Sequence, residues 1–313
     1  MRYCVGFDVG GTTVKCGLFN TAGKLLDKWE ITSRKEEDGR FILTDIAASL
    51  RGKMEEKGIG EEELQGIGLC VPGPVEKDGF VHVCVNLGWK NRYPAREMQK
   101  LLGGRIPCKV GNDANVAALG EMWVGGGKGY SNLCMVTLGT GVGGGIILNG
   151  EIIAGAHGAA AEIGHIHVRD EETEACNCGG YGCLEQVASA TGIVREAKRN
   201  LALSGEESAM RAFGEQLSAK DVCDCAKAGD RLAVKTMETA LRYLGLVMAQ
   251  ISMTADPEVF VLGGGVSKAG EYLINVTKRY YEEYTPLLIV KAELRLAELG
   301  NDAGIYGCAR LVL

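Results

Sequence analysis

The chain has no excess of positive charge. Its 34 Lys and Arg face 40 Asp and Glu, a formal net charge of −6. Binding nucleic acid as the main activity needs a basic face, so that class is set aside. No apolar run reaches the roughly 18 residues of a membrane-spanning helix. Asp8 interrupts the first apolar stretch and no cleavage-like site follows, so no secretory leader is expected. Proline is scarce, with six residues. Proline and glycine together stay well below the roughly 25–30 % of low-complexity chains. No internal repeat with a period of about 20–50 residues is visible, which excludes a solenoid.

What remains is an ordinary globular composition, with 46 % apolar and 24 % charged residues over 313 positions. That length suits two domains or one large one. Glycine is the exception: 46 residues, about twice the usual ~7 %. The glycines cluster at 10–11, 125–129, 139–145, 179–182 and 263–265. Clustered glycine after an apolar run marks backbone that turns tightly or approaches a ligand. The 12 cysteines lie mostly among Val, Leu and Gly, as small buried hydrophobes do. A secreted chain this rich in cysteine would be short and disulfide-framed, so a reducing cytoplasm is expected.

Tyr3 to Thr32 reads as a β-meander, and Phe41 to Lys57 carries helical apolar spacing. Gln65–Val71 and Ile106–Val110 read as strands. Pro94–Leu102 and a segment from about Ala114 to Trp123 read as helices, and the run 125–129 as a hinge. Asn132–Leu138 and Gly144–Leu148 follow as strands, then Asn149-Gly150 as a hairpin signal. Helices are expected over Val187–Asn200, Ala219–Gly229 and Arg231–Met253. A strand is expected over Val259–Leu262, a helix capped by Ser267 and running through Tyr284, a strand over Ile289–Leu294, and a last helix capped by Asp302. The expectation is an α/β protein of two similar lobes with a cleft. Residues 1–117 plus about 300–313 would form the smaller lobe, and 118–299 the larger.

Three loops bear on phosphate chemistry. In Asp8-Val-Gly-Gly-Thr12, Gly10 and Gly11 let backbone N–H groups face an anion, with hydroxyls from Thr12 and Thr13 and a cation from Lys15. Asp8 could hold Mg²⁺ or its waters; the loop is otherwise a plain hairpin turn. Gly139-Thr140-Gly141 begins a formal G-x-G-x-x-G. It runs into a strand rather than a helix, so a dinucleotide fold is a poor reading and a phosphate-cradling hairpin a better one. Gly263-Gly264-Gly265 lies between a strand and a helix, suited to nucleotide binding or to tight packing. Together the three resemble the sugar kinase, actin and heat-shock ATPase superfamily. Asn112-Asp113 begins a helix, where it could simply cap it. Alternatively Asp113 is a general base for an attacking hydroxyl.

The most specific pattern is Glu162-Ile-Gly-His165 followed by Cys176-Asn-Cys178-Gly-Gly-Tyr-Gly-Cys183-Leu-Glu185. Three thiolates and an imidazole make a Cys₃His zinc set. Its shell is closed, so a structural zinc is expected rather than a hydrolytic one; the alternatives are a redox pair or chance clustering in a cysteine-rich chain.

On these residues the chain resembles the ROK family (repressors, open reading frames and kinases). Asn86-Leu-Gly-Trp89, Gly111-Asn-Asp-Ala-Asn115 and Leu299-Gly-Asn-Asp-Ala-Gly304 are similar to its bacterial glucokinase branch. The resemblance implies the actin-like, ribonuclease H-like ATPase fold with a zinc-binding loop. It implies MgATP-dependent phosphorylation of glucose to glucose 6-phosphate, with Asp113 as base. Gly73, Asn86, Asn112, Glu162, His165 and Glu185 would bind sugar, His165 while also ligating zinc. Sugar binding would close the lobes. A homodimer or homotetramer is implied. The alternatives are another hexose (N-acetylmannosamine, N-acetylglucosamine, fructose, mannose or allose), a sugar-responsive repressor, or a non-catalytic sugar-binding protein. Trp89 would shape the sugar pocket, and Trp29 and Trp123 would pack.

Overall fold

In the computed structural model, which describes residues 2–313, the N-terminal meander forms three strands: β1 (Tyr3–Val9), β2 (Thr13–Asn20) and β3 (Leu25–Thr32). α1 (Ile42–Lys57) follows, then β4 (Leu64–Val71), a hairpin of β5 (Val81–Cys84) and β6 (Trp89–Arg92), and α2 (Pro94–Leu101). β7 (Cys108–Asn112) runs directly into α3 (Asp113–Val124). The first sheet has the order β3-β2-β1-β4-β7. β2 and β3 pair antiparallel, while β4 and β7 run parallel beside β1. α1 turns Ile42, Leu43, Ile46, Leu50 and Met54 into the core beside the sheet. Gly58, in the left-handed region at φ 64°, ends it.

The second sheet has the order β10-β9-β8-β11-β12. Its strands are β8 (Leu133–Leu138), β9 (Val142–Leu148), β10 (Glu151–Ile152), β11 (Val259–Gly263) and β12 (Glu293–Leu296), with β8, β11 and β12 parallel. Between β10 and β11 come α4 (Ala190–Leu203), α5 (Ala219–Lys227) and the long α6 (Arg231–Ala255). α7 (Glu271–Tyr284) precedes β12, and α8 (Ala303–Leu311) closes the chain. Strands buried along nearly their whole length, as β1, β4 and β11 are, lie where the mixed sheets run parallel and are covered on both faces. No helix among the described residues is long and apolar enough to cross a membrane.

The chain divides into two compact units, one of residues 1–131, 145–161 and 299–313, the other of 132–144 and 162–298. Residues 118–131 and 145–161 therefore group with the first unit, where the sequence places them in the second lobe. The reason for the former is packing. α8 lies against α3 so closely that a Cβ on Gly307 would sit 1.7 Å from the Val116 carbonyl oxygen. α8 also rests on the sheet, where a Cβ on Gly68 would meet the Cys308 oxygen at 1.8 Å. The run at 125–129 is pinned at its start rather than free. Buried Glu121 accepts from Gly126 N at 2.8 Å, and its other oxygen accepts from Leu299 N at 2.8 Å.

Three boundary expectations fail locally. Ile289 is fully exposed, and the strand begins at Glu293. The apolar run before it lies in a turn that Lys291 closes by donating to the Thr285 and Leu288 carbonyls. Ser267 does not cap α7: its hydroxyl donates to Gly264 O at 2.7 Å, within a separate 3₁₀ turn. Asp302 stands before α8 without a side-chain cap, its carboxylate on Lys28 at 2.6 Å.

Candidate functional site

In the first unit, β1 carries Asp8 opposite Lys15 of β2 and Cys70 of β4. The turn at Gly10-Gly11 closes with Gly10 N donating to Thr13 O at 3.0 Å. Buried Ser33 braces it, donating its hydroxyl to Gly10 O at 2.6 Å and its backbone N–H to Thr12 O at 2.9 Å. The Lys15 ammonium donates to Asn301 O at 3.0 Å. Gly11 faces the segment after β5, where a Cβ on it would sit 3.1 Å from Asn86 O. Gly11, Thr12, Lys35, Val85, Asn86 and Gly88 line an open depression of about 550 Å³. Two phosphate candidates and one sugar candidate thus share one wall. Trp89 does not: its indole is buried and donates to Gly39 O at 3.0 Å, a core residue under Arg92.

β7 passes into α3 at Asn112-Asp113. Asn112 caps the helix, its Oδ1 accepting from Ala114 N at 3.0 Å and Asn115 N at 3.1 Å. Its Nδ2 donates to Gly73 O at 3.1 Å, which joins two sugar candidates. Asp113 is the first residue of α3, and one carboxylate oxygen accepts from Ala114 N at 2.8 Å. The helix N-terminus favours a negative group there.

In the second unit, Gly139-Thr140-Gly141 turns β8 into β9, with Gly139 N donating to Gly141 O at 2.9 Å. The start of α4 braces this turn: Ala190 N donates to Gly139 O at 2.8 Å and Thr191 Oγ1 to Thr140 O at 2.7 Å. The 263–265 loop lies beside it. Gly264 has φ 84°, and a Cβ there would meet Leu138 O at 2.5 Å, so close approach and dihedral both demand glycine. Glu185 links the turn to the cysteine loop: one oxygen accepts from Val142 N at 3.1 Å, the other lies 3.7 Å from Cys176 Sγ.

His165, Cys176, Cys178 and Cys183 gather into one cluster, their candidate ligand atoms all within 4.8 Å of one another. His165 Nδ1 is 3.8 Å from Cys176 Sγ, and Cys178 Sγ is 3.6 Å from Cys183 Sγ. A tetrahedron of ~2.3 Å zinc–sulfur arms has edges of roughly 3.8 Å, so the donor set fits the ion. Burial and the neighbouring thiols push Cys183 up to about 12, while the Gly180 N–H lowers Cys178. Around the cluster, Gln186 accepts from Cys183 N and donates to Glu174 O. Buried Glu172 accepts from Arg195 and Arg199 of α4, each at 2.7 Å. Arg199, with a further backbone bond and Arg195, holds Glu172 down at about 2. His167 stays outside the cluster, paired with Asp170 and the Tyr181 carbonyl.

Cys70, Ser33 and Thr191 went unread as site residues in the sequence, and Gly304 was read only as part of the Leu299–Gly304 motif. Each contacts a candidate residue distant in sequence.

Two α/β units, each with a glycine hairpin beside a polar site, and a Cys₃His cluster in one of them define a zinc-loop member of the sugar kinase and ATPase class. The ROK family profile matches residues 4–313, and the chain belongs to that family. It is 45 % identical to a glucokinase of Halalkalibacterium halodurans, over 99 % of this chain and 95 % of that one. It is 33 % identical to a glucokinase of Thermotoga maritima, over 98 % and 96 %. Among solved structures it is similar to a ROK family glucokinase from Streptomyces griseus in complex with glucose and AMPPNP. That match has a TM-score of 0.75 and 31 % identity and covers 99 % and 98 % of the two chains.

Proposed function

We propose that this chain is an ATP-dependent glucose kinase that makes glucose 6-phosphate. The observation that carries the reading is the β7–α3 junction. There Asp113 is held by its own helix N-terminus, beside an Asn112 tied to Gly73. The 45 % identity to a glucokinase over nearly the whole chain supports glucose as the acceptor.

Asn112, Asn86, Gly73, Glu162, His165 and Glu185 bind sugar hydroxyls. Asp113 accepts the proton of the 6-hydroxyl as that oxygen bonds to the γ-phosphorus. The bond from phosphorus to the ADP oxygen breaks, and the electrons leave with ADP. The backbone of Gly10-Gly11, Gly139–Gly141 and Gly263–Gly265, with Thr12, Thr13, Thr140 and Lys15, neutralises and orients the phosphates. Asp8 faces the magnesium of MgATP. Zinc would be held by His165, Cys176, Cys178 and Cys183; it would supply structural cross-linking of the 176–183 loop and leave the other ring nitrogen of His165 for sugar. The protein works as a homodimer or homotetramer in a reducing cytoplasm.

The test is ADP release with MgATP on glucose, mannose, fructose, allose, N-acetylglucosamine and N-acetylmannosamine. Preference for glucose is expected. Preference for another sugar changes the acceptor and keeps the chemistry. No release with any of them overturns the kinase reading.

A further inference from the structure

We infer that Cys70 and Gly304 are positioning residues that fix the carboxylate of Asp8 from its two sides. The inference rests on Asp8 being the residue that faces the nucleotide's magnesium. Asp8 and Cys70 are register partners on neighbouring parallel strands, and the Cys70 thiol donates to Asp8 Oδ1 at 3.3 Å. Cys70 has no exposed surface, so no water competes for that donor. The adjacent Cys308 thiol donates to Phe7 O at 3.3 Å, so two buried thiols address consecutive residues of β1.

The other oxygen meets α8. A Cβ on Gly304 would lie 2.8 Å from Asp8 Oδ2 and 2.9 Å from its Cγ, so only glycine leaves the carboxylate its place. A carboxylate of freely rotating χ1 and χ2 would have to be ordered each time a cation arrived. One anchored oxygen and one confined oxygen remove part of that cost beforehand. Hydrogen bonding with Cys308 and burial push the Cys70 thiol well above its ordinary range. It therefore stays protonated and serves Asp8 as a donor, not as a second anion.

The test compares Cys70→Ala, Cys70→Ser, Gly304→Ala and Asp8→Asn with the wild type. Calorimetry reads affinity for a non-hydrolysable ATP analogue with and without Mg²⁺, alongside turnover and glucose affinity. Loss of one hydrogen bond from a weak thiol donor should weaken the Mg²⁺-dependent part of binding about fivefold in Cys70→Ala. Cys70→Ser, which keeps a donor, should restore it, and glucose affinity should stay within about twofold. Gly304→Ala should weaken the same quantity, although alanine is the better helix former. Adding Cys70→Ala to Asp8→Asn should change nothing further. Wild-type Mg²⁺ dependence in both Cys70→Ala and Gly304→Ala, or an equal loss in the Ser and Ala variants, overturns the inference alone. Unchanged Mg²⁺ dependence in Asp8→Asn overturns the reading of Asp8 and the inference with it.

Discussion

Asp113 is placed at the start of its own helix, where the Ala114 N–H donates to one carboxylate oxygen. Asp113→Ala should lower kcat by about 10²–10⁴, with glucose affinity, read by calorimetry, changed by less than about threefold. A drop of less than tenfold would remove it as the base. The order of these residues was readable in the sequence, because Asn112-Asp113 carries its own capping chemistry. The setting of Asp8 was not. Its thiol neighbour is 62 residues away, and only the β1–β4 register brings them together. Cys70 reads as one more apolar residue in a buried strand.

The cysteine loop is a local object, which is why its ligands were legible. His165 to Cys183 is one short stretch, and glycines allow it to wrap. Replacing Cys178 with Ser should lower zinc content, by metal analysis, from near one per chain, and sugar affinity should fall with it. What holds the loop to the helix beside it was not legible, because Glu172 is a lone acid in an acidic segment until α4 supplies Arg195 and Arg199. Glu172→Gln should lower stability by about 1–3 kcal/mol at neutral pH. The sign of its pH dependence follows from a carboxylate lowered from 4.5 to about 2. Its contribution is complete above about pH 5 and is lost as pH falls from 4.5 towards 2. The Tm difference between wild type and Glu172→Gln should therefore be flat above pH 5 and shrink below it. A constant difference down to pH 3 would contradict the pairing. The element ends misread in the sequence have two causes: Ser267 and Lys291 are taken up by nearby backbone carbonyls, whereas Asp302 is drawn to Lys28 from across the fold.

Among the described residues, twelve cysteines are free and only Cys178 is exposed, with Cys108 partly so. A thiol reagent on the metal-free native protein should therefore react quickly at one site, more slowly at a second, and at the rest only after denaturation. Zinc should suppress the fast phase. Several fast-reacting thiols would mean that the cores around β1, β4 and α8 are looser than their packing implies. The division into units was only half legible. The glycine loops announced two α/β halves, but nothing local tells α3 that its partner helix lies at the far end of the chain, or residues 145–161 that they group with the first unit.

That arrangement bears on how the molecule is made. The N-terminal sheet is completed by α8, which the ribosome emits only after the whole of the second unit. At about 5–20 residues per second, synthesis from Ser131 to Ala303 takes on the order of ten to thirty seconds. Throughout that interval the nascent N-terminal sheet has one face uncovered beside the tunnel exit. The second unit, encoded in between, can complete its own fold first. Birth order and assembly order are thus reversed, and the newborn sheet keeps apolar surface uncovered until α8 is released.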